Sequence, residues 1–385
     1  MKTITTTEDL AAFCLEAAKR PYVTVDTEFL RERTYYSKLC LVQLAYQDDT
    51  SDDAVLVDPL ADGLSLAPLY DLFQDAGCVK VFHAARQDLE IFYVDAGVIP
   101  EPLFDTQVAA MVCGFGEQAG YETLVRKIAK SDLDKSSRFT DWSRRPLTDA
   151  QATYAIGDVT HLRDIYEYLS DRLAKTSRTK WVAEEMAVLK DPATYQADPE
   201  NAWKRVKTRT QSGKFMAIVR ELARFRESYA QERNIPRTRV FKDDALVEIA
   251  STKPQSEQDL GRSRLLLREA RRGDIAAGII ECVKAGIATK PEDMPKVDNT
   301  RAKLQVNPAL ADMLRVLLKA KTDTADVAPK LIASASDLDA LAAGERDVPA
   351  LKGWRGEVFG KEALELCEGR VGLAVKGQKV VTVRF

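Results

Sequence analysis

Residues 23–29 read VTVDTEF, a β-branched run with two acids set at positions 26 and 28. Alternate residues of a strand share a face, so Asp26 and Glu28 project to one side while Val23 and Val25 project to the other. The chain is thereby held to a strand that has an apolar face and a face carrying two carboxylates at one spot. A helical segment adds a second constraint. In QATYAIGDV, Tyr154 and Asp158 stand four residues apart, one helical turn, so a phenol and a carboxylate share a face. A fifth candidate, Asp88, lies in VFHAARQDLEIF, where a short apolar strand runs into a helix.

Together these residues point to phosphodiester chemistry. A phosphodiester is anionic, and attack by hydroxide builds further negative charge on its oxygens. Two divalent cations roughly 4 Å apart relieve both problems by activating the water and stabilising the leaving oxygen. Magnesium prefers oxygen ligands, keeps several waters and is held by few carboxylates plus the substrate phosphate, which suits a sparse acidic cluster. Tyr154, with an ordinary pKa near 10, is a poor base at neutral pH but can orient the attacking water.

The order and spacing of the acids resemble the DEDD exonuclease superfamily. Its tyrosine subclass has the pattern Tyr-x-x-x-Asp at the third motif, as in Tyr154 to Asp158, whereas Thr153 occupies the place a histidine would take in the other subclass. The stretches LCLVQLAY, FDTQVAAMVCG, GYETLV and LDKSSRFTDWSRRPLT extend the likeness to the bacterial ribonuclease D family over roughly the first half of the chain. The resemblance implies that Asp26, Glu28, Asp88 and Asp158 are ligands to two Mg2+ or Mn2+ ions and that Tyr154 positions the nucleophile. It also implies a ribonuclease H-like fold, with an antiparallel three-stranded portion extended by parallel strands.

Other residues are weaker candidates. Thr27 and Phe29 flank the first acids and are read as substrate-binding, through backbone groups and ring stacking. Gln151, one turn before Tyr154, supports the site or the substrate. The loop KSDLDKSSRFTDWSRRPL brings Lys130, Lys135, Arg138, Arg144 and Arg145 upstream of the third motif, where Lys135 and Arg145 are taken as phosphate contacts and Trp142 as an anchor by packing. His83 is read as a strand-end packing or hydrogen-bonding residue, because two histidines and no Cys/His spacing argue against zinc. His161 is read as a solvated helix residue and Asp105 as a helix cap.

The 385 residues, 45% hydrophobic and 30% charged, allow two or three globular domains. The opening carries no secretory signal and no apolar run suits a bilayer, so a cytoplasmic address and no membrane partner are expected. Cys14, Cys40, Cys78, Cys113, Cys282 and Cys367 lack paired spacing and read as reduced thiols. Strands are expected at 22–28, 39–46, 54–58 and 79–82, with a helix near 66–76 and helices thereafter. The result is an α/β exonuclease domain with a mixed sheet, over 1–190, followed by helical domains.

A proline-rich, polar stretch marks a boundary before Trp203. From Trp203 to Lys290 there are 20 Lys and Arg against 11 Asp and Glu, so nine positive charges collect in a chain whose net charge is −3. Such asymmetry points to a polyanionic partner. RESYAQERNIPRTRVFKDDALVEIA resembles the HRDC domain, assigned to 203–290, with Arg237, Arg239, Lys242 and Arg264 as phosphate contacts. Residues 298–385 are expected to form helices over about 305–342 and to finish in a hairpin turning at Lys376 and Gly377, a second, HRDC-like domain by the resemblance. No Gly-rich phosphate loop is present, which excludes ATP as a partner.

The resemblance implies a metal-dependent 3′–5′ exoribonuclease that releases 5′-mononucleotides by in-line hydrolysis and trims the 3′ ends of tRNA precursors and other stable RNAs. Two alternatives share these features: a proofreading-type DNA exonuclease with the same acids, and an RNA-binding scaffold with an inert nuclease domain.

Overall fold

The structure, a computed structural model, describes residues 2–47, 53–133, 137–138, 140–210, 212–296 and 305–385. Its first unit runs β1 (Lys2–Ile4), α1 (Thr7–Ala17), β2 (Tyr22–Leu30), β3 (Lys38–Tyr46), β4 (Ala54–Val57), α2 (Ala67–Gln74), β5 (Val79–Phe82), α3 (Arg86–Ala96), β6 (Leu103–Asp105), α4 (Thr106–Val112), α5 (Tyr121–Leu124), α6 (Asp149–Lys175) and α7 (Thr179–Lys190). The six strands form one mixed sheet in the order β1-β4-β3-β2-β5-β6. The β2–β3 and β3–β4 pairs are antiparallel, and β1, β5 and β6 join in parallel. β1 and β6 close the two edges; at three residues each they are too short to show a period of two, and β6 went unread in the sequence.

Both faces of the sheet are covered, which is why β2 and β3 are apolar on both sides over most of their length. Val23, Val25, Val42, Leu44 and Val55 pack with Leu10, Phe13, Leu69, Phe73 and Phe92 of the helices on one face. On the other face α6 lies across the strands, with Ala155 on Cys40, Leu41 and Leu56, and Val159 on Ala45 and Ala54. Thr24, fully buried on that face, ties helix to sheet by donating to the carbonyls of Val159 (2.8 Å) and Ala45 (3.0 Å).

The second unit is helical: α8 (Gly213–Glu232), α9 (Arg237–Val240), α10 (Asp243–Thr252), α11 (Glu257–Leu260) and α12 (Gly273–Ala288). Ile218, Leu222, Phe241, Leu246 and Ile279 form its core. Gly286 permits the close crossing of α12 on α8, since a Cβ there would lie 2.6 Å from the Cα of Ile218. The third unit comprises α13 (Pro308–Ala325), α14 (Pro329–Ile332), α15 (Ala335–Ala342), α16 (Gly353–Arg355), α17 (Lys361–Cys367) and the hairpin β7 (Val371–Lys376) and β8 (Lys379–Arg384). The hairpin turns at Gly377 and Gln378, one residue later than the sequence pattern suggested, with Gly377 at φ +64°. A positive φ is free of strain only for glycine, so the turn settles there.

Both helical units dock on the first. The β2–β3 connection reaches the second unit, where the backbone amides of Tyr35 and Tyr36 donate to Oδ1 of Asn234 (3.1 and 3.0 Å) and the Tyr35 hydroxyl donates to the buried Glu227. Trp354 of the third unit stacks on Trp181 of α7 with ring centres 4.6 Å apart, and its Nε1 and the Arg355 guanidinium both engage Glu185.

Candidate active site

The site forms where β2 outruns its neighbour. Pairing of β2 with β5 ends at Thr24 and Val81, so residues 25–30 overhang on that side. β5 ends at Phe82 and the chain turns into α3, whose first turn carries Asp88 alongside the overhang. Asp105 fixes this turn: it accepts from the amides of Ala84 (3.1 Å) and Ala85 (2.8 Å) and also caps α4 through Gln107 (2.7 Å). One buried carboxylate thus sets the start of two helices. The Thr27 hydroxyl donates to Asp88, locking strand and helix together.

On the opposite side, α6 begins with a capping box in which the Thr148 hydroxyl accepts from the Gln151 amide and Gln151 reaches back to the Thr148 amide. The cap sets the rotation of α6, and with it the face bearing Tyr154 and Asp158. Carboxylate oxygens of Asp26, Glu28 and Asp158 all lie within 4.8 Å of one another. A register shift between Glu28 and Phe29 ends the regular pairing with β3 just there. These three acids, Thr27, Phe29, His83, Gln87, Tyr121, Arg138 and Tyr154 line a cleft of about 580 Å³.

Crowding of like charges in a partly buried place disfavours ionisation. Burial, then the charges of Asp158, Asp88 and Glu28, push the Asp26 carboxyl well above the usual carboxylate range. Burial and the neighbouring Asp158 and Asp88 push Glu28 up to about 8, against the pull of Arg138. Burial raises Asp158 to about 7, against the nearby Tyr154 hydroxyl, and Asp88 to about 7, against the Thr27 hydroxyl. Burial and the surrounding carboxylates hold the Tyr154 phenol above its ordinary value, so it is a hydrogen-bond donor at any working pH. Burial lowers His83 to about 4; its Nδ1 lies 2.9 Å from the Thr106 hydroxyl. An all-oxygen, mutually repelling donor set of this kind fits a hard divalent cation, whose charge removes the repulsion.

Three sequence-chosen residues have other tasks. Arg145 grips Asp58 with two bonds (2.6 and 2.7 Å) and the Cys40 carbonyl with a third (2.6 Å), so it fastens the loop to β3 and β4 and its fork is already filled. Gln151, buried, uses its carboxamide on Thr148 and on the Thr140 hydroxyl (3.0 Å) and acts on the site only by setting α6. Arg237 sits at the seam between units, 3.3 Å from Glu227. Lys135 lies outside the described residues. Arg239, Lys242 and Arg264 are exposed on the second unit. Trp142 anchors the loop, buried against Tyr154 at 6.0 Å between ring centres. Among the described cations of the loop, Arg138 is the one whose charge reaches Glu28, Tyr154 and Asp158. Gln43, fully buried and the cross-strand partner of Asp26, was also missed; the signal was a lone amide inside the apolar LCLVQLAY.

Comparison with known proteins agrees with this geometry. Residues 1–174 match the family model described as 3′–5′ exonuclease and residues 215–283 match the HRDC domain. The chain is 64% identical over 381 residues to ribonuclease D of Jannaschia sp., covering 99% of each chain. It is 48% identical to ribonuclease D of Granulibacter bethesdensis, covering 98% of this chain and 95% of that one. The crystal structure of Escherichia coli RNase D, described as an exoribonuclease involved in structured RNA processing, superposes with a TM-score of 0.83 at 26% identity, covering 96% of this chain and 98% of the other.

Proposed function

Because the chain belongs to the ribonuclease D family and is a 3′–5′ exoribonuclease, we propose that Asp26, Glu28, Asp88 and Asp158 hold two divalent cations, Mg2+ or Mn2+, and that its substrates are tRNA precursors with 3′ extensions. The observation that carries the reading is the convergence of three carboxylates within 4.8 Å, in a cleft whose wall also carries the Tyr154 phenol. Cations bound there supply positive charge that acidifies water and offsets charge building on the phosphate oxygens.

The chain's own residues do the positioning. Tyr154 keeps its proton beside the carboxylates and offers its oxygen lone pairs to the attacking water, which orients that water without removing its proton. Thr27 holds the buried Asp88 against β2, next to the three clustered acids. Phe29 offers a ring face to the terminal base and Arg138 a positive charge to the phosphate, both from the cleft wall. His83 stays neutral and acts as a hydrogen-bonding wall rather than as a proton donor.

We assign residues 1–190 to the exonuclease, 203–290 to a first HRDC domain and 298–385 to a second, HRDC-like one. RNA as the substrate, thiols without disulfide partners and the absence, among the described residues, of a helix long and apolar enough to cross a membrane support action in the cytoplasm. The structured-RNA role described for the Escherichia coli protein supports tRNA precursors.

The test is release of 5′-mononucleotides from a tRNA precursor with a short 3′ extension, with Mg2+, with Mn2+ and with chelator, beside a DNA strand of matched sequence. Trimming of the RNA that needs the cation and stalls near the mature end is expected. Cation-independent trimming would overturn the ligand assignment, and indifference to the tRNA end would overturn the substrate.

A further inference from the structure

The seam between the first unit and the second encloses another cleft, of about 550 Å³. Arg31 and Thr34 of the β2–β3 connection form one wall, Arg86 and Gln87 of α3 the next, and Arg205 and Arg237 the side belonging to the helical unit. It adjoins the catalytic cleft on two sides. Gln87 lines both. Arg31 and Thr34 also line a neighbouring cleft of about 660 Å³ that contains Glu28, Phe29 and Arg138.

The charge of the seam is net positive. Its four guanidinium groups face two carboxylates: Glu90, 3.4 Å from Arg31, and the buried Glu227, held by Arg205 at 3.1 Å and by Arg237 at 3.3 Å. Arg86 has no carboxylate partner among the described residues. Two positive charges are left over beside a channel, presented on planar forks that match phosphate oxygens. Because the 3′ nucleotide occupies the acidic cleft, chain that leaves through the seam is the segment just 5′ of the scissile bond.

We propose that this seam binds the single-stranded RNA backbone immediately 5′ of the scissile phosphate, with Arg31 and Arg86 on its phosphates, and so sets how long an unpaired 3′ tail must be. The inference rests on the catalytic assignment above. Arg205 and Arg237 share the buried Glu227 and hold the wall in place, whereas the 3.4 Å contact of Arg31 with Glu90 is long and solvent-exposed and yields to a phosphate. A dinucleotide fills the acidic cleft without reaching the seam, whereas a longer tail crosses it.

The full-length protein is assayed with Mg2+ on a ribodinucleotide and on an unstructured oligoribonucleotide, as wild type and as the double variant Arg31→Gln/Arg86→Gln. The expected result is a rise in KM that lowers kcat/KM for the oligonucleotide about tenfold, with the dinucleotide changed by no more than about twofold. The salt dependence of the oligonucleotide KM flattens by roughly 1.4 in log–log slope, the amount for two single-strand phosphate contacts. Equal losses on both substrates would overturn the proposal, because the arginines would then act through the acidic cleft. Unchanged oligonucleotide kinetics would overturn it as well. Failure of the wild type to cleave either substrate would instead strike down the catalytic assignment, a distinct outcome.

Discussion

The acidic cleft and the basic seam handle charge in opposite ways. In the cleft, Asp26, Glu28 and Asp158 crowd together with the buried Asp88 behind them, and all four carboxyls are driven up in pKa. Along the seam and the second unit, arginines are spread out and often matched with acids, as Glu227 is by Arg205 and Arg237. Catalysis needs local, unfavourable charge that a cation can relieve, whereas binding a polyanion needs only dispersed charge at modest cost. Substitutions in the two regions therefore differ in kind as well as size.

The largest effect is expected at Asp26. Asp26→Asn lowers turnover by on the order of 10²–10³-fold or more, the scale of losing one preorganised electrostatic element, while RNA binding persists; single-turnover cleavage and a binding titration on the same preparation separate the two. The same change bears on pH. Carboxyls whose folded pKa is raised hold protons more tightly in the native state, so their stabilising contribution is full below the unfolded values of 3.8 and 4.5 and is lost as pH rises through about 7 for Asp88 and Asp158 and about 8 for Glu28. The melting temperature of chelator-treated protein is expected to fall across that window and to recover with Mg2+. Asp26→Asn flattens the fall, and an unaltered profile would contradict mutual repulsion in the cleft.

Next comes Tyr154→Phe. It removes the hydroxyl that accepts from water, and is expected to cut kcat about 10²-fold with little change in the Mg2+ concentration needed for half-maximal rate. A large shift in that concentration would make the phenol a support for the ligands instead.

Arg145→Gln tests a boundary case, a cation beside the site that the structure makes a strut. Breaking its paired bonds to Asp58, where the Arg145 side chain is 27% exposed, is expected to cost about 3 kcal/mol in denaturant unfolding and to leave the salt slope of RNA binding unchanged. The smallest effects belong to the second unit: Arg239→Gln, Lys242→Gln and Arg264→Gln, each exposed, are each expected to weaken RNA binding by about twofold or less and to lower its salt slope by no more than about 0.7.

Legibility followed the range of the interactions. Asp26 with Glu28, and Tyr154 with Asp158, could be grouped from the sequence because each pair lies within one period of a strand or a helix. The role of Asp105 as a cap was also local and was read correctly. The partners of Arg145, Gln151 and Arg237 could not be read because a cation or amide near a motif looks the same whether it faces substrate or a distant partner; Asp58 lies 87 residues from Arg145. Arg138 could not be ranked above its loop neighbours for the same reason.

The amino-acid sequence by itself determined which side chains could make a phosphodiesterase and which of the longer segments would be strand or helix, since periodicity and residue chemistry act over a few positions. Only the tertiary structure decided that β2 would overhang β5 so that Asp88 could meet Thr27, that the α6 cap would turn Tyr154 and Asp158 toward β2, and that Tyr35 would carry the β2–β3 connection onto Asn234 and Glu227 to enclose a basic seam. Those arrangements depend on strand register, helix rotation and the packing of separate cores, energies shared among residues far apart in the chain.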